Sequence, residues 1–184
     1  MSDASSPPLR TDAHRNRQRL IEVARASFAG SAKPSLEAIA RDAGVGIGTL
    51  YRHFPTRDAL VEAVYQAELT RLCEQAAELL AELAPDAALR AWMDRFSDYV
   101  AAKREMADSL RSLFAGGAVT SISTRQRMAD AVAPILAAGA VAGTLRGDVD
   151  SLDVVASVAG IFMTASGPDQ AGRMLDLLIA GLRP

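Results

Sequence analysis

Thr49, Tyr51, Arg52 and His53 fall within five residues, just behind Gly44, Gly46 and Gly48, and Arg57 follows four positions later. Hydroxyl, phenol, guanidinium and imidazole groups at this density, with no carboxylate between Ala43 and Arg57, suit hydrogen bonding to an anion better than covalent chemistry. Arg52 can lay its planar fork across the edge of a guanine or onto a phosphate, and Thr49 can offer a hydroxyl to phosphate or its methyl group to thymine. Tyr51 and His53 carry donors suited to phosphate oxygens. Each has a plainer alternative, Tyr51 at the rim of a core and His53 as a helix C-terminal residue favoured by the macrodipole. Gly48 costs about 1 kcal/mol relative to Ala inside a helix, which either a close approach of backbone to a DNA strand or a loosely wound first turn would explain.

Arg57 opens a further helix, where a cation faces the positive end of the macrodipole and loses a few tenths of a kcal/mol. A phosphate at that point would reverse the sign, held by the free N–H groups and the guanidinium together. A solvated side chain is the alternative. Arg10, Arg15, Arg17 and Arg19 supply either a basic arm or a solvated helix face.

The elements that must position these groups are legible upstream and downstream. Residues 35–43 have apolar side chains at 36, 39, 40 and 43, the spacing of one helix face, with Ser35 as N-cap and Gly44 as a left-handed C-cap. A second short helix over about 47–53 turns Leu50 and Phe54 back toward the first, so the pair forms a helix-turn-helix. Ahead of it, a helix from Thr11 or Asp12 to about Ala29 carries Leu20, Ile21, Ala24 and Phe28 on one stripe. Behind it, a long helix runs from the Pro55–Asp58 start to about Leu83.

Among 184 residues, 49% are hydrophobic and only 5% aromatic, with Ala and Leu abundant, which predicts an all-α fold of about nine helices. The net charge of -2 conceals an asymmetry. Residues 1–57 hold nine Lys/Arg against five Asp/Glu, a balance of +4, while 58–184 hold eleven against seventeen, a balance of -6. A basic front part suits a polyanionic partner. Residues 1–11 read as a disordered basic tail, 12–70 as the helix-turn-helix domain and 71–184 as a second helical domain. The first ten residues lack the apolar centre of a signal peptide, and no apolar run reaches the roughly 18 residues that span a bilayer, so no membrane partner and a cytoplasmic location are expected. Cys73 is the one cysteine, read as a small buried apolar residue. No cluster has metal-ligand spacing, and no cofactor motif is present.

The string Leu36-x-x-Ile39-Ala40-x-x-Ala43-Gly44-Val45, continued by Gly48-x-Leu50-Tyr51-x-His53-Phe54-x-x-Arg57-x-x-Leu60, resembles the DNA-binding domain of the TetR/AcrR regulators over residues 12–70. The resemblance implies an all-helical homodimer that binds a palindromic double-stranded operator, usually as a repressor released by a small molecule. It also implies that Ser35, Thr49, Tyr51, His53 and Arg57 contact phosphate and that Ile47, Gly48 and Arg52 lie on the recognition helix. Gly46 stands where the family often has Ser, losing a hydroxyl contact; Arg57 replaces a common Lys and keeps the charge. The segments 92–114 and 151–182 resemble the SbtR-like subset.

Dimerisation is expected through the apolar faces of the last two helices, Val154, Val158 and Ile161 on one and Leu175, Leu178 and Leu182 on the other. Trp92, Phe96, Tyr99, Phe114, Met128 and Phe162 are the candidate lining for an unidentified small apolar or aromatic effector, with a filled core as the alternative. An activator of the same family, an all-helical enzyme and an interaction module are the rival functions. The enzyme lacks a phosphate loop, nucleophile elbow or paired-carboxylate motif, and the module leaves the basic front part unexplained.

Overall fold

The computed structural model describes residues 7–30, 34–115 and 121–184; residues 1–6 of the expected tail, and the side chains of Arg10 and Phe114, lie outside the described set. Nine helices occur among the described residues: α1 (Pro7–Gly30), α2 (Leu36–Asp42), α3 (Ile47–His53), α4 (Arg57–Glu82), α5 (Pro85–Glu105), α6 (Ala107–Ala115), α7 (Ser121–Ala142), α8 (Ser151–Thr164) and α9 (Pro168–Gly181). Only Met106 separates α5 from α6, and the bonds Met106 N to Ala102 O (3.3 Å) and Leu110 N to Met106 O (3.0 Å) bridge it, so the pair also counts as one bent helix. No strand occurs in these residues, and no helix among them is long and apolar enough to cross a membrane. The first helix starts at Pro7 rather than at the expected Thr11 or Asp12; proline suits a first helical turn because its missing N–H has no partner to lose there.

The chain divides into two compact units, Met1–Ala67 with Ala102–Leu113, and Glu68–Ala101 with Phe114–Pro184, the first division falling inside α4. In the first unit the expected stripe of α1, Leu20, Ile21, Ala24 and Phe28, is buried, as are Ile39, Ala40 and Ala43, Leu50 and Phe54, and Leu60, Val61 and Val64 of α4. Burying Ile39, Leu50 and Phe54 stabilises by about 1.5–3 kcal/mol each before the entropy of ordering them is counted, so packing and not propensity holds the seven-residue α2 and α3.

In the second unit the core is built on Leu89, Trp92, Met93 and Phe96 of α5, Val132 and Ile135 of α7, Val154, Val155 and Val158 of α8, and Leu175 and Ile179 of α9. Trp92 Nε1 donates to the Leu72 carbonyl at 3.0 Å, which satisfies the indole N–H inside an otherwise apolar surrounding. At the end of α7, Gly143 has φ +69°, and Gly143 N to Ala140 O (3.3 Å) with Thr144 N to Gly139 O (2.9 Å) closes the turn. Asp150, and not the neighbouring Ser151, caps α8, its carboxylate accepting from Leu152 N at 2.7 Å. An ionised oxygen at the positive end of the helix is the stronger acceptor, and Ser151 becomes the first helical residue.

Candidate nucleic-acid interface

Two backbone devices set α3 at an angle to α2. Ser35 Oγ accepts from Ala38 N at 3.1 Å to start α2. At its end, Gly44 N bonds to Arg41 O and Val45 N to Ala40 O, both at 2.9 Å, and Gly44 takes φ +69°. That paired closure is the Schellman turn, and it needs a residue tolerant of the left-handed region. Gly46 then opens α3 with extended backbone and no side-chain cap. Glycine at this position forgoes the hydroxyl cap that Ser would provide.

The turn leaves α3 with two unlike faces. Leu50 and Phe54 point into the first unit and are buried, while Ile47, Gly48, Tyr51 and Arg52 are exposed and share the opposite side, being related by steps of three and four. Ile47 is 38% and Tyr51 45% exposed, large side chains that the fold covers only in part. Thr49 and His53 sit half-buried at the margins, His53 with its ring 6.3 Å from that of Phe54. Gly48 has nothing within 4 Å of where a Cβ would stand and its φ lies outside the left-handed region, so neither space nor backbone conformation demands glycine there.

Arg57 is placed differently from its expected role. Its Nη1 donates to the Pro34 carbonyl at 2.7 Å, and its guanidinium lies 5.5 Å over the Phe28 ring. The start of α4 is capped by Thr56, whose Oγ1 accepts from Ala59 N at 3.1 Å. The side chain that looked misplaced against the macrodipole thus finds partners inside the unit, and its position is accounted for without a phosphate. Arg17 reaches across to Phe54 in the same way, 5.1 Å from the ring centroid, a contact missed in the sequence because residues 37 apart carry no local signal. Arg15 pairs with the exposed Asp12 at 3.6 Å.

The residues expected to line an effector site divide. Trp92, Phe96, Tyr99 and Met128 are buried, and Phe162 is half-buried. Phe96 meets Trp92 and Tyr99 edge-on at 5.8 and 5.6 Å and stacks on Phe162 at 5.7 Å, so four of the expected residues form one packed aromatic cluster between α5 and α8. A cleft of about 360 Å³ in this unit is lined instead by Ala133, Leu136, Ala137, Ala140 and the Arg146–Ser151 turn. Cys73 is half-buried and donates to Arg127 O at 3.6 Å; burial pushes its thiol up, which keeps it protonated and poorly nucleophilic at neutral pH. Among the described residues no group of three or more His, Cys, Asp or Glu is arranged to hold a metal ion.

The expected dimer residues need correction. Val154, Val158, Ile161, Leu175 and Leu182 are buried within the single chain and Leu178 is half-buried, so these apolar faces are spent on packing α8 against its own neighbours. The outward apolar residues on the same helices are others, Leu152 and Met163 on α8 and Leu177 on α9, the last two 83% and 74% exposed.

Comparison with known proteins agrees with this architecture. The family model for bacterial regulatory proteins of the tetR family matches residues 20–64, and that for the SbtR-like transcriptional regulator C-terminal domain matches 84–184. The TetR transcriptional regulator SCO0520 of Streptomyces coelicolor is 48% identical, with a TM-score of 0.78 over 91% of this chain and 98% of its own. A TetR transcription regulatory protein of Mycobacterium vanbaalenii is 34% identical, with a TM-score of 0.74 over 96% of this chain and 100% of its own. An HTH-type transcriptional regulator of Staphylococcus aureus strain USA300 is 43% identical over 63 residues, 33% of this chain and 34% of that protein, so the match spans about a third of such curated relatives. A helix-turn-helix with an uncovered second helix, joined to a C-terminal half that matches along its whole length, places this chain in the TetR family of transcriptional regulators and not among enzymes.

Proposed function

We propose that the chain is a repressor that binds a palindromic DNA operator as a homodimer through α2 and α3 and is released by a small apolar or aromatic effector. The observation that carries the DNA reading is the exposed side of α3, where Ile47, Gly48, Tyr51 and Arg52 stand together facing solvent. A seven-residue helix presenting a glycine and three larger exposed side chains fits the major groove, which admits a helix whose surface is low enough to reach the base edges. The surrounding +4 balance of residues 1–57 supports attraction to phosphate. Thr49, Tyr51 and His53 then hold the backbone on either side, and Arg52 takes a guanine or a phosphate. Ser35 at the start of α2 adds a hydroxyl proton that can be donated to phosphate, since its oxygen is the α2 cap acceptor.

Two copies are required because one short helix offers too few base contacts for a specific site. The outward Leu152, Met163 and Leu177 are the residues on α8 and α9 available to a second copy. The effector enters at the aromatic cluster, where Phe162 is the half-buried member stacked on Phe96 and so the one whose displacement opens space beside Phe96, the ring that Trp92 meets edge-on. The test is a mobility-shift assay of the full chain on its own upstream intergenic DNA, repeated across salt concentrations. A sequence-selective, salt-sensitive shift is expected, and its absence would overturn the reading. Candidate effectors are then scored by release of the shifted DNA together with a change in emission from Trp92, the single tryptophan.

A further inference from the structure

Ile47 and Tyr51 are the large apolar residues left exposed in the first unit among its described residues, and they lie one turn apart on the same side of α3. Tyr51 carries a phenol that water or phosphate can satisfy. Ile47 carries only methyl and methylene groups, and at 38% exposure it stands as the first residue of the helix, where the fold leaves it facing solvent. Gly48 beside it adds no side chain, and nothing outside its own helix turn lies within 4 Å of where its Cβ would stand, so the surface of α3 next to Ile47 is open.

When a helix-turn-helix docks, the N-terminal residues of its second helix are those that reach base edges. Arg52 sits in the last turn and Ile47 in the first. Of the groups displayed on the floor of the major groove, the 5-methyl of thymine offers far more apolar surface than the C5–H of cytosine, and the others are hydrogen-bond donors or acceptors that an isoleucine side chain would desolvate without return. On the basis of the DNA-binding reading above, we infer that Ile47 is a specificity-determining residue that selects thymine at one position of each half-site by packing against its 5-methyl group. It therefore contributes base choice even though it makes no hydrogen bond.

The test begins by selecting a site from randomised duplex DNA with the full-length protein. Each thymine of the selected site is then replaced by deoxyuridine, symmetrically in both half-sites, which removes the methyl group and leaves the pairing intact. For the wild type, deoxyuridine at one position per half-site is expected to weaken binding about threefold to fivefold per half-site, the worth of one buried methyl group. Ile47→Ala is expected to bind thymine and deoxyuridine equally at that position, and Ile47→Val to retain part of the discrimination. Unchanged circular dichroism and melting of both variants establish that the fold is intact, as expected for a residue outside the core. If a site is selected but no deoxyuridine matters, or if Ile47→Ala keeps the same methyl sensitivity, the inference is overturned while DNA binding stands. If no site is selected, the DNA-binding reading itself fails and the inference with it.

Discussion

Arg57 Nη1 and the Pro34 carbonyl, 23 residues apart in sequence, meet at 2.7 Å, tying the start of α4 to the residue just before the α2 cap. The bond is charge-assisted, and the Phe28 ring beneath the guanidinium adds a cation–π contact from α1. Three segments of the first unit are thereby pinned by one side chain. Arg57→Ala is expected to lower the unfolding free energy by about 1.5–3 kcal/mol, the range for hydrogen bonds to charged groups. Arg57→Lys should recover part of it, since an ammonium can reach a carbonyl but cannot stack as a plane. Urea denaturation followed by circular dichroism measures both. A loss of DNA binding in Arg57→Ala at unchanged stability would return the residue to a direct phosphate role.

Two helical glycines are expected to respond to the same substitution with opposite sign. Gly48 has open space around its missing Cβ, so Gly48→Ala should raise stability by up to about 1 kcal/mol through helix propensity. The added methyl group would stand on the side of α3 assigned to DNA, and operator affinity should fall. At Gly139 a Cβ would lie 2.5, 2.7 and 2.8 Å from Cδ1, Cγ and Cβ of Leu145, whose buried position folds back over α7. Gly139→Ala should therefore destabilise by about 1–3 kcal/mol despite the better propensity. Thermal melts moving in opposite directions are the expected result, and a lowered melting temperature for Gly48→Ala would show that the fold does require that glycine.

What could be read in the sequence follows the range of the forces involved. The bounds of α3 were legible because a left-handed Gly44 and the Pro55 that follows Phe54 are local backbone constraints. The buried stripes at Leu20–Phe28 and Ile39–Ala43 were legible because their periodicity has one interpretation in a basic amphipathic segment. The apolar face of Val154, Val158 and Ile161 was equally periodic, yet periodicity says that a face is covered and not by which chain. Leu177 gave no signal, being one exposed leucine on the other side of α9. The partners of Arg57 were not legible at all, because a contact spanning 23 residues depends on how three helices close.

Tyr51 and Arg52 are adjacent on the exposed side of α3, and different losses are expected from them. Tyr51→Phe removes one hydroxyl donor and should weaken binding roughly equally on all sequences, by about 0.5–1.5 kcal/mol. Arg52→Ala, where the guanidinium reads guanine, should cost about 1–3 kcal/mol at that base pair and relax preference there alone. Competition binding against single-position variants of the selected site separates the two. An Arg52→Ala protein that keeps its base preference but loses about one unit of salt dependence would make Arg52 a phosphate contact instead.

Leu175 and Leu177 stand two residues apart on α9, one buried and one 74% exposed, and they separate folding from assembly. Leu175→Ala empties a core position and should cost about 2–5 kcal/mol without altering the surface presented to a second copy. Leu177→Arg places a charge where the proposed dimer would bury an apolar side chain, and beside Gln170, Arg173 and Met174 the one carboxylate at hand, Asp176, is already paired with Arg90 at 2.9 Å, so the desolvation of that charge is poorly offset. Sedimentation velocity is expected to give a dimer for the wild type and Leu175→Ala, and a folded monomer for Leu177→Arg. Because two-fold operators need two copies held at a fixed spacing, the Leu177→Arg monomer should also lose affinity for the full site while its affinity for a single half-site stays unchanged. A Leu177→Arg protein that remains dimeric would move the interface off this face of α9.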